Sequence, residues 1–319
     1  MTIAVIGAGA FGTALAVSLS ANEDIIVWGR SAADMATMQE TRRNPRLGDV
    51  ILPENITFSG DLDTVSGADV VLLAIPAQTI GDFVQTHRET LKNKSIVCCA
   101  KGINLATMKG AGQTVADALG QEAVAVLTGP SFAADIARGL PTALALACSD
   151  DDIGRALQRR LSTQSLRLYR TTDVIGAELG GALKNVMAIA CGACIGLGLG
   201  ESARAALMTR GFAEIQRFAG AHGAKPETLM GLSGLGDLSL TCNSDLSRNY
   251  QYGLALGQGR NFDGSITVEG AATAKAVVQV AKALDIDTPI SQVVAKLVDG
   301  TVTAKTALSL LLSRPLKEE

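Results

Sequence analysis

Lys184 is the only ionised side chain between residues 180 and 196, a stretch that reads GGALKNVMAIACGACIG. A lysine so isolated either extends from an apolar helix to reach water or a partner such as Glu178, or is held partly dry. In a dry site desolvation lowers the ammonium pKa toward working pH, which is what a proton-donating group needs. Four glycines, Gly176, Gly180, Gly181 and Gly192, fall in the predicted helix, each costing about 1 kcal/mol relative to alanine. That penalty implies close approach to another backbone or a bound cofactor, so Lys184 belongs in a crowded wall, with Asn185 beside it as a neutral hydrogen-bonding group.

Other residues carry compatible chemistry. Lys101 follows the apolar run SIVCCA (95–100), at the carboxyl end of a predicted strand, where doubly wound sheets bind ligands. GPSFA (129–133) lies at the same edge after the next strand, with Pro130 and Ser131 placed to begin a helix aimed at an anion. GLSGLGDLSLTC (231–242) presents Asp237 and Thr241 in a glycine-rich turn. SRN follows, with Arg248 suited to gripping a phosphate and Ser247 and Asn249 to adding neutral hydrogen bonds. Taken singly, each is also an ordinary turn or cap.

A second site is written near the start. VIGAGAFGTALA sets Gly7, Gly9 and Gly12 as G-x-G-x-x-G between an apolar strand and an apolar helix. In that context Gly7 makes the tight turn, Gly9 lets backbone N–H groups approach a pyrophosphate, and Gly12 lets helix pack on strand. The second strand ends Trp28-Gly29-Arg30, where an NAD site normally has an acid. A guanidinium there attracts a ribose 2′-phosphate, so NADP(H) is the expected preference, with NAD(H) possible; the alternative is that Arg30 is simply solvated.

The elements that must position these groups are legible as a repeat. Continuous apolar runs at 2–6, 25–28, 70–75, 95–100, 123–128 and 142–147 alternate with helical patterns near 10–21, 77–90, 108–119 and 151–162. Such runs fit strands buried on both faces. A last strand, 165–170, alternates and belongs at an exposed edge. After Asp173 the signals are helical, at about 174–196, 203–222, 270–284, 289–299 and 304–312. The expected fold is α/β: a Rossmann doubly wound, mostly parallel sheet over residues 1–173, then an all-α domain for substrate binding and catalysis over 174–319.

Composition narrows the classes further. A chain of 319 residues, 47% hydrophobic and 18% charged, has ample core for two domains, and its net charge of −3 provides no basic field for nucleic acid. No targeting segment or membrane insertion is expected, which leaves a cytoplasmic protein. The six cysteines show no disulfide-framework spacing, and a redox role for the CxxC at Cys191 and Cys194 is disfavoured by its apolar helical setting. His87 and His222 lack neighbours at ligand spacing, so no metal is expected.

Together GAGAFGTALA, AKG, GPSFA, LGGALKNV, GLGDL-x-x-TC, SRN and VEG resemble, in order and separation, the NAD(P)-dependent glycerol-3-phosphate dehydrogenases, over nearly the whole chain. The resemblance implies reversible reduction of dihydroxyacetone phosphate to sn-glycerol 3-phosphate, supplying phospholipid backbones. It implies that Lys184 donates and accepts the proton, that Asp237 orients it, and that Lys101 touches both cofactor and substrate. Gly129, Ser131, Thr241, Ser247, Arg248 and Asn249 match substrate contacts, and Arg248 reaches toward the cofactor. Ala10, Phe11, Arg30, Ala133, Thr267 and Glu269 match cofactor contacts.

The departures are modest: Ala134-Asp135 for a usual Lys-Glu, Ala10 for Ser, Ser202 for Asn, and CGAC for a cysteine-free stretch. Two rival readings are a reductase of similar build acting on a branched or carboxylated hydroxy acid, and a nucleotide sensor without chemistry. The first does not account for GLGDL with SRN, and the second has no use for Lys101, Lys184 and Asp237. A homodimer is compatible with the helical half and not required by it.

Overall fold

The computed structural model describes residues 2–264 and 266–312. The strands are β1 (Ile3–Ile6), β2 (Ile25–Trp28), β3 (Ile56–Ser59), β4 (Val70–Leu73), β5 (Ser95–Cys98), β6 (Ala125–Thr128), β7 (Thr142–Ala147) and β8 (Leu166–Thr171). They form one eight-stranded sheet in the order β3-β2-β1-β4-β5-β6-β7-β8. All neighbours run parallel except β6 and β7. β1, β4 and β6 are buried along their whole length, because apolar layers cover both faces, whereas β8 alternates buried and exposed residues at the sheet edge. The strand order reverses between β1 and β4, and ligands of doubly wound sheets bind beyond the carboxyl ends of strands at such a point.

The helices of this half are α1 (Ala10–Leu19), α2 (Ala32–Thr41), α3 (Ala77–Thr86), α4 (Arg88–Leu91), α5 (Ala111–Leu119), α6 (Ala133–Ala137) and α7 (Asp151–Leu161). β3 and α2 were not expected, since each carries only two inward apolar residues: Ile56 and Phe58 in one, Met35 and Met38 in the other. GPSFA also differs from expectation. Its helix, α6, starts at Ala133 behind Phe132 rather than at Pro130, and is only five residues long. After β7, Asp150 accepts the Ile153 N–H and so opens α7.

The C-terminal half comprises α8 (Val174–Gly196), α9 (Glu201–Ala221), α10 (Pro226–Met230), α11 (Asp237–Cys242), α12 (Arg248–Gly257), α13 (Glu269–Ala283), α14 (Pro289–Val298) and α15 (Ala304–Leu312). α8 starts where Asp173 accepts the Gly176 N–H at 2.9 Å, and its other oxygen takes the Lys225 N–H at 2.8 Å. α8 is long and apolar enough to cross a membrane, but most of it is buried by its neighbours.

Glycines explain how the helices pack so tightly around α8. A methyl group on Gly180 would lie 2.6 Å from the Ser233 carbonyl oxygen, one on Gly192 would collide with the Tyr250 carbonyl, and one on Gly253 with that of Ile189. α8 and α12 thus bring bare backbone to each other reciprocally. The segment 231–242 is not the turn its glycines suggest. Leu232–Gly236 forms a π-helical turn running directly into α11, with Gly234 against the Leu229 carbonyl where no side chain fits.

Candidate active site

Lys184 lies midway along α8, and its Nζ donates to Asp237 Oδ1 at 2.5 Å and to Thr241 Oγ1 at 2.7 Å. Asp237 and Thr241 stand four residues apart on α11, the spacing that puts two side chains on one helix face. The other carboxylate oxygen, Asp237 Oδ2, accepts from Lys101 Nζ at 2.8 Å, and Lys101 also donates to the Gly129 carbonyl at 3.0 Å. One fully buried carboxylate therefore bridges two ammonium groups whose side chains are 8% and 18% exposed.

Two cations on one anion leave this buried cluster net positive, suited to a developing alkoxide or an anionic substrate. Burial lowers the Lys184 pKa to about 8; Lys101 pushes it down as well, while Asp237 opposes both. Neither alternative expected for Lys184 holds: it does not reach water, and it does not pair with Glu178. Glu178 instead accepts the Gly112 N–H at 2.5 Å.

The remaining residues expected to contact substrate are placed as follows. Ser131 Oγ donates to the Gly129 carbonyl at 3.3 Å. Ser247 caps α12 by accepting the Tyr250 N–H, and Asn249 Oδ1 accepts the Gly270 N–H at 2.9 Å, tying α12 to α13. Asn185 is buried next to Lys184, its backbone carbonyl against Gly270. Arg248 is exposed at the first residue of α12 and takes no part in the lysine cluster.

At the switch point, Gly7 has φ +116°, and a methyl group there would lie 2.5 Å from the Ala74 carbonyl oxygen; one on Gly12 would collide with the Gly7 carbonyl. At Gly9 the same position is open, with nothing within 4 Å. Gly9 is the cap of α1 and brings no side chain to it, so the first N–H groups of the helix, at Ala10 and Phe11, face that space. The cradle fits a pyrophosphate. Arg30 is exposed just past β2, with no ion-pair partner among the described residues. Ala133 begins α6, which packs along α1. Thr267 is exposed, and Glu269, whose carboxyl burial pushes up, accepts the Ala77 N–H at the start of α3.

Two residues of this region escaped the sequence reading. Asn44, wholly buried, donates to the Ala8 carbonyl at 3.2 Å and to Thr13 Oγ1 at 2.8 Å, steadying the glycine turn from behind. Only its place before Pro45 hints at this. Thr128, the last residue of β6, has a buried hydroxyl with no hydrogen-bond partner, 2.5 Å from where a methyl group on Gly181 would sit. Its position directly before GPSFA is the signal that was available. The six cysteines are free and buried, and among the described residues no group of three or more His, Cys, Asp or Glu side chains is arranged to hold a metal ion.

A glycine-turned helix N-terminus at the switch point of a doubly wound sheet, with Lys101 from the sheet half and Lys184 from the helical half held on one buried carboxylate, defines a nicotinamide-nucleotide dehydrogenase of the two-part type. Comparison with known proteins narrows this. The chain belongs to the NAD-dependent glycerol-3-phosphate dehydrogenase family, whose N-terminal model matches residues 2–154 and whose C-terminal model matches 173–309. It is 58% identical, over the full length of both chains, to the glycerol-3-phosphate dehydrogenase (NAD(P)+) of Paracoccus denitrificans. It is 48% identical to that of Brucella canis, over 99% of this chain and 98% of the other. Among solved structures, glycerol-3-phosphate dehydrogenase from Coxiella burnetii superposes with a TM-score of 0.93 at 34% identity, covering 98% of this chain and 99% of that one. The protein is an NAD(P)-dependent oxidoreductase.

Proposed function

We propose that this protein reversibly reduces dihydroxyacetone phosphate to sn-glycerol 3-phosphate in the cytoplasm, prefers NADP(H) to NAD(H), and so supplies glycerophospholipid synthesis. The observation that carries the chemistry is the Asp237 carboxylate bridging Lys101 and Lys184. Bound nicotinamide would supply or accept the hydride. In reduction, Lys184 as ammonium gives its proton to the oxygen of the substrate ketone, and Lys101 adds positive charge there. In oxidation, neutral Lys184 takes that proton from the hydroxyl. Asp237 orients Lys184 and prevents either ammonium from drifting toward solvent; Thr241 fixes the second direction of the Lys184 Nζ.

Arg248 would hold the substrate phosphate, whose binding energy then orients the carbonyl, with Gly129, Ser131, Asn185, Ser247 and Asn249 shaping the pocket. The cofactor would lie along Gly7, Gly9 and Gly12 with its pyrophosphate on the N–H groups of Ala10 and Phe11, Arg30 at the ribose phosphate, and Ala133, Lys101, Arg248, Thr267 and Glu269 lining its course. Residues 1–173 would form the dinucleotide-binding domain and 174–319 the substrate-binding and catalytic domain that carries Lys184, with a few residues of each reaching the other's ligand.

Mixing the protein with dihydroxyacetone phosphate and either NADPH or NADH, and following nicotinamide absorbance, tests this. Oxidation of NADPH with a higher kcat/KM than NADH is expected. No turnover with either cofactor would sink the assignment, and equal kcat/KM for both would sink the NADP(H) preference alone.

A further inference from the structure

The loop that carries Lys101 is closed on itself. Ile103 and Gly110 form an isolated antiparallel bridge, and the Asn104 N–H donates to the Lys109 carbonyl at 2.9 Å. Gln78 on α3 braces the outgoing strand through the Ile103 carbonyl and the Leu105 N–H. Whatever fixes residues 110–112 therefore also fixes 101–103, just after β5.

That anchor comes from the other half of the chain. α5 has no capping side chain of its own, because its cap is Gly110. Glu178 on α8 takes the role, accepting the N–H of Gly112 at 2.5 Å and that of Gln113. The glycines at 110 and 112 are required by this contact: a methyl group on Gly110 would lie 2.5–2.8 Å from the Glu178 carboxylate, and one on Gly112 would lie 3.0 Å from it and 2.7 Å from Val126. Among the described residues, the titratable neighbour that interacts with Glu178 is the buried Cys98 thiol on β5, which burial keeps neutral. Six residues further along α8, about 9 Å at the helix rise, stands Lys184.

We infer that Glu178 is a positioning residue: it fastens the loop bearing Lys101 to the helix bearing Lys184, so that both ammonium groups stay on the single carboxylate of Asp237. This rests on the reading of Lys184 as proton donor. The groups that face Lys184 are Asp237 and Thr241 on α11, Cys242 on the same helix, and Lys101 from the loop; of these Lys101 is the one that lowers its proton affinity. Releasing the loop should thus leave a readable mark, because Lys184 without Lys101 beside it holds its proton to higher pH.

The test measures kcat for ketone reduction against pH in Glu178→Ala, Glu178→Gln and Gly110→Ala, with Lys184→Ala in parallel. Gly110→Ala displaces the carboxylate while leaving it in the chain. Glu178→Gln keeps the volume and one acceptor, and decides the matter if Glu178→Ala does not fold. The expected result is a kcat lowered about tenfold to a hundredfold, as for a small misplacement of catalytic groups. The alkaline limb should move to higher pH. The shift should be smaller in Glu178→Gln than in Glu178→Ala. A limb that does not move overturns the inference, even in a variant that melts at lower temperature. If Lys184→Ala is inactive while the limb stays put, the positioning role alone fails; if Lys184→Ala turns over normally, the proton-donor reading fails first.

Discussion

The glycine turn after β1 and the lysine cluster behind β5 and α8 solve opposite problems. The first handles a charged ligand without any charged side chain of its own, through backbone N–H groups, a helix end and space left by Gly9. The second packs three ionised groups where water is nearly excluded and lets Asp237 hold two cations in a fixed relation. The difference teaches where each site is vulnerable. The turn has no room for a single added carbon at Gly7 or Gly12. The cluster is most exposed to loss of Asp237, since removing that carboxylate leaves two ammonium groups without their shared counter-charge.

The sharpest way to separate the two is Lys184→Ala. Turnover should fall by about 10²–10⁴, the usual worth of a positioned acid or base, while NADPH binding, followed by fluorescence titration, stays near the wild-type value. A comparable loss of cofactor affinity would mean that the two regions are one site.

Next in size is the pH response. Lys184 is an ammonium below about 8 and neutral above it. Reduction, which consumes the proton, should be flat below that pH and fall by about tenfold per unit above it. Oxidation should rise up to about pH 8 and then level. Initial rates in both directions across that range check the crossing; limbs of the same sign would rule out Lys184 as the titrating group.

The smallest expected effect belongs to the nucleotide side. Arg30→Asp should lower kcat/KM for NADPH by about tenfold or more, through loss of one charge-assisted contact, and favour NADH, with the alkaline limb unmoved. A shifted limb would show that the cofactor end and the lysine cluster communicate.

The same contrast governs what could be read from the sequence. The glycine fingerprint and the long apolar strands announce themselves, because continuous burial leaves continuous apolar runs. β3 and α2 stayed hidden because each buries only two residues, below any periodic signal. Lys184 was conspicuous by isolation, and its burial followed from the glycines around it. Its attachment to Asp237 rather than Glu178 was not legible from spacing. That choice depends on α11 being a helix, and the glycines at 231, 234 and 236 read as a turn until the Leu229 carbonyl is seen filling the room a side chain at Gly234 would need. Thr128 and Asn44 offered only their places before GPSFA and Pro45, since their surroundings are neighbours brought near by the fold.

Because α8 and α12 touch through bare backbone at Gly192 and Gly253, no layer of rotatable side chains lies between them to act as a lubricant. The two helices form one strut. Lys184 and the Ser247-Arg248-Asn249 corner are thereby carried on the same rigid piece, so, with the roles proposed for them, the gap between the proton-handling end and the phosphate-gripping end of the pocket behaves like a ruler of fixed length. A substrate one carbon longer or shorter would have to bend to meet both marks, whatever motion the rest of the molecule makes.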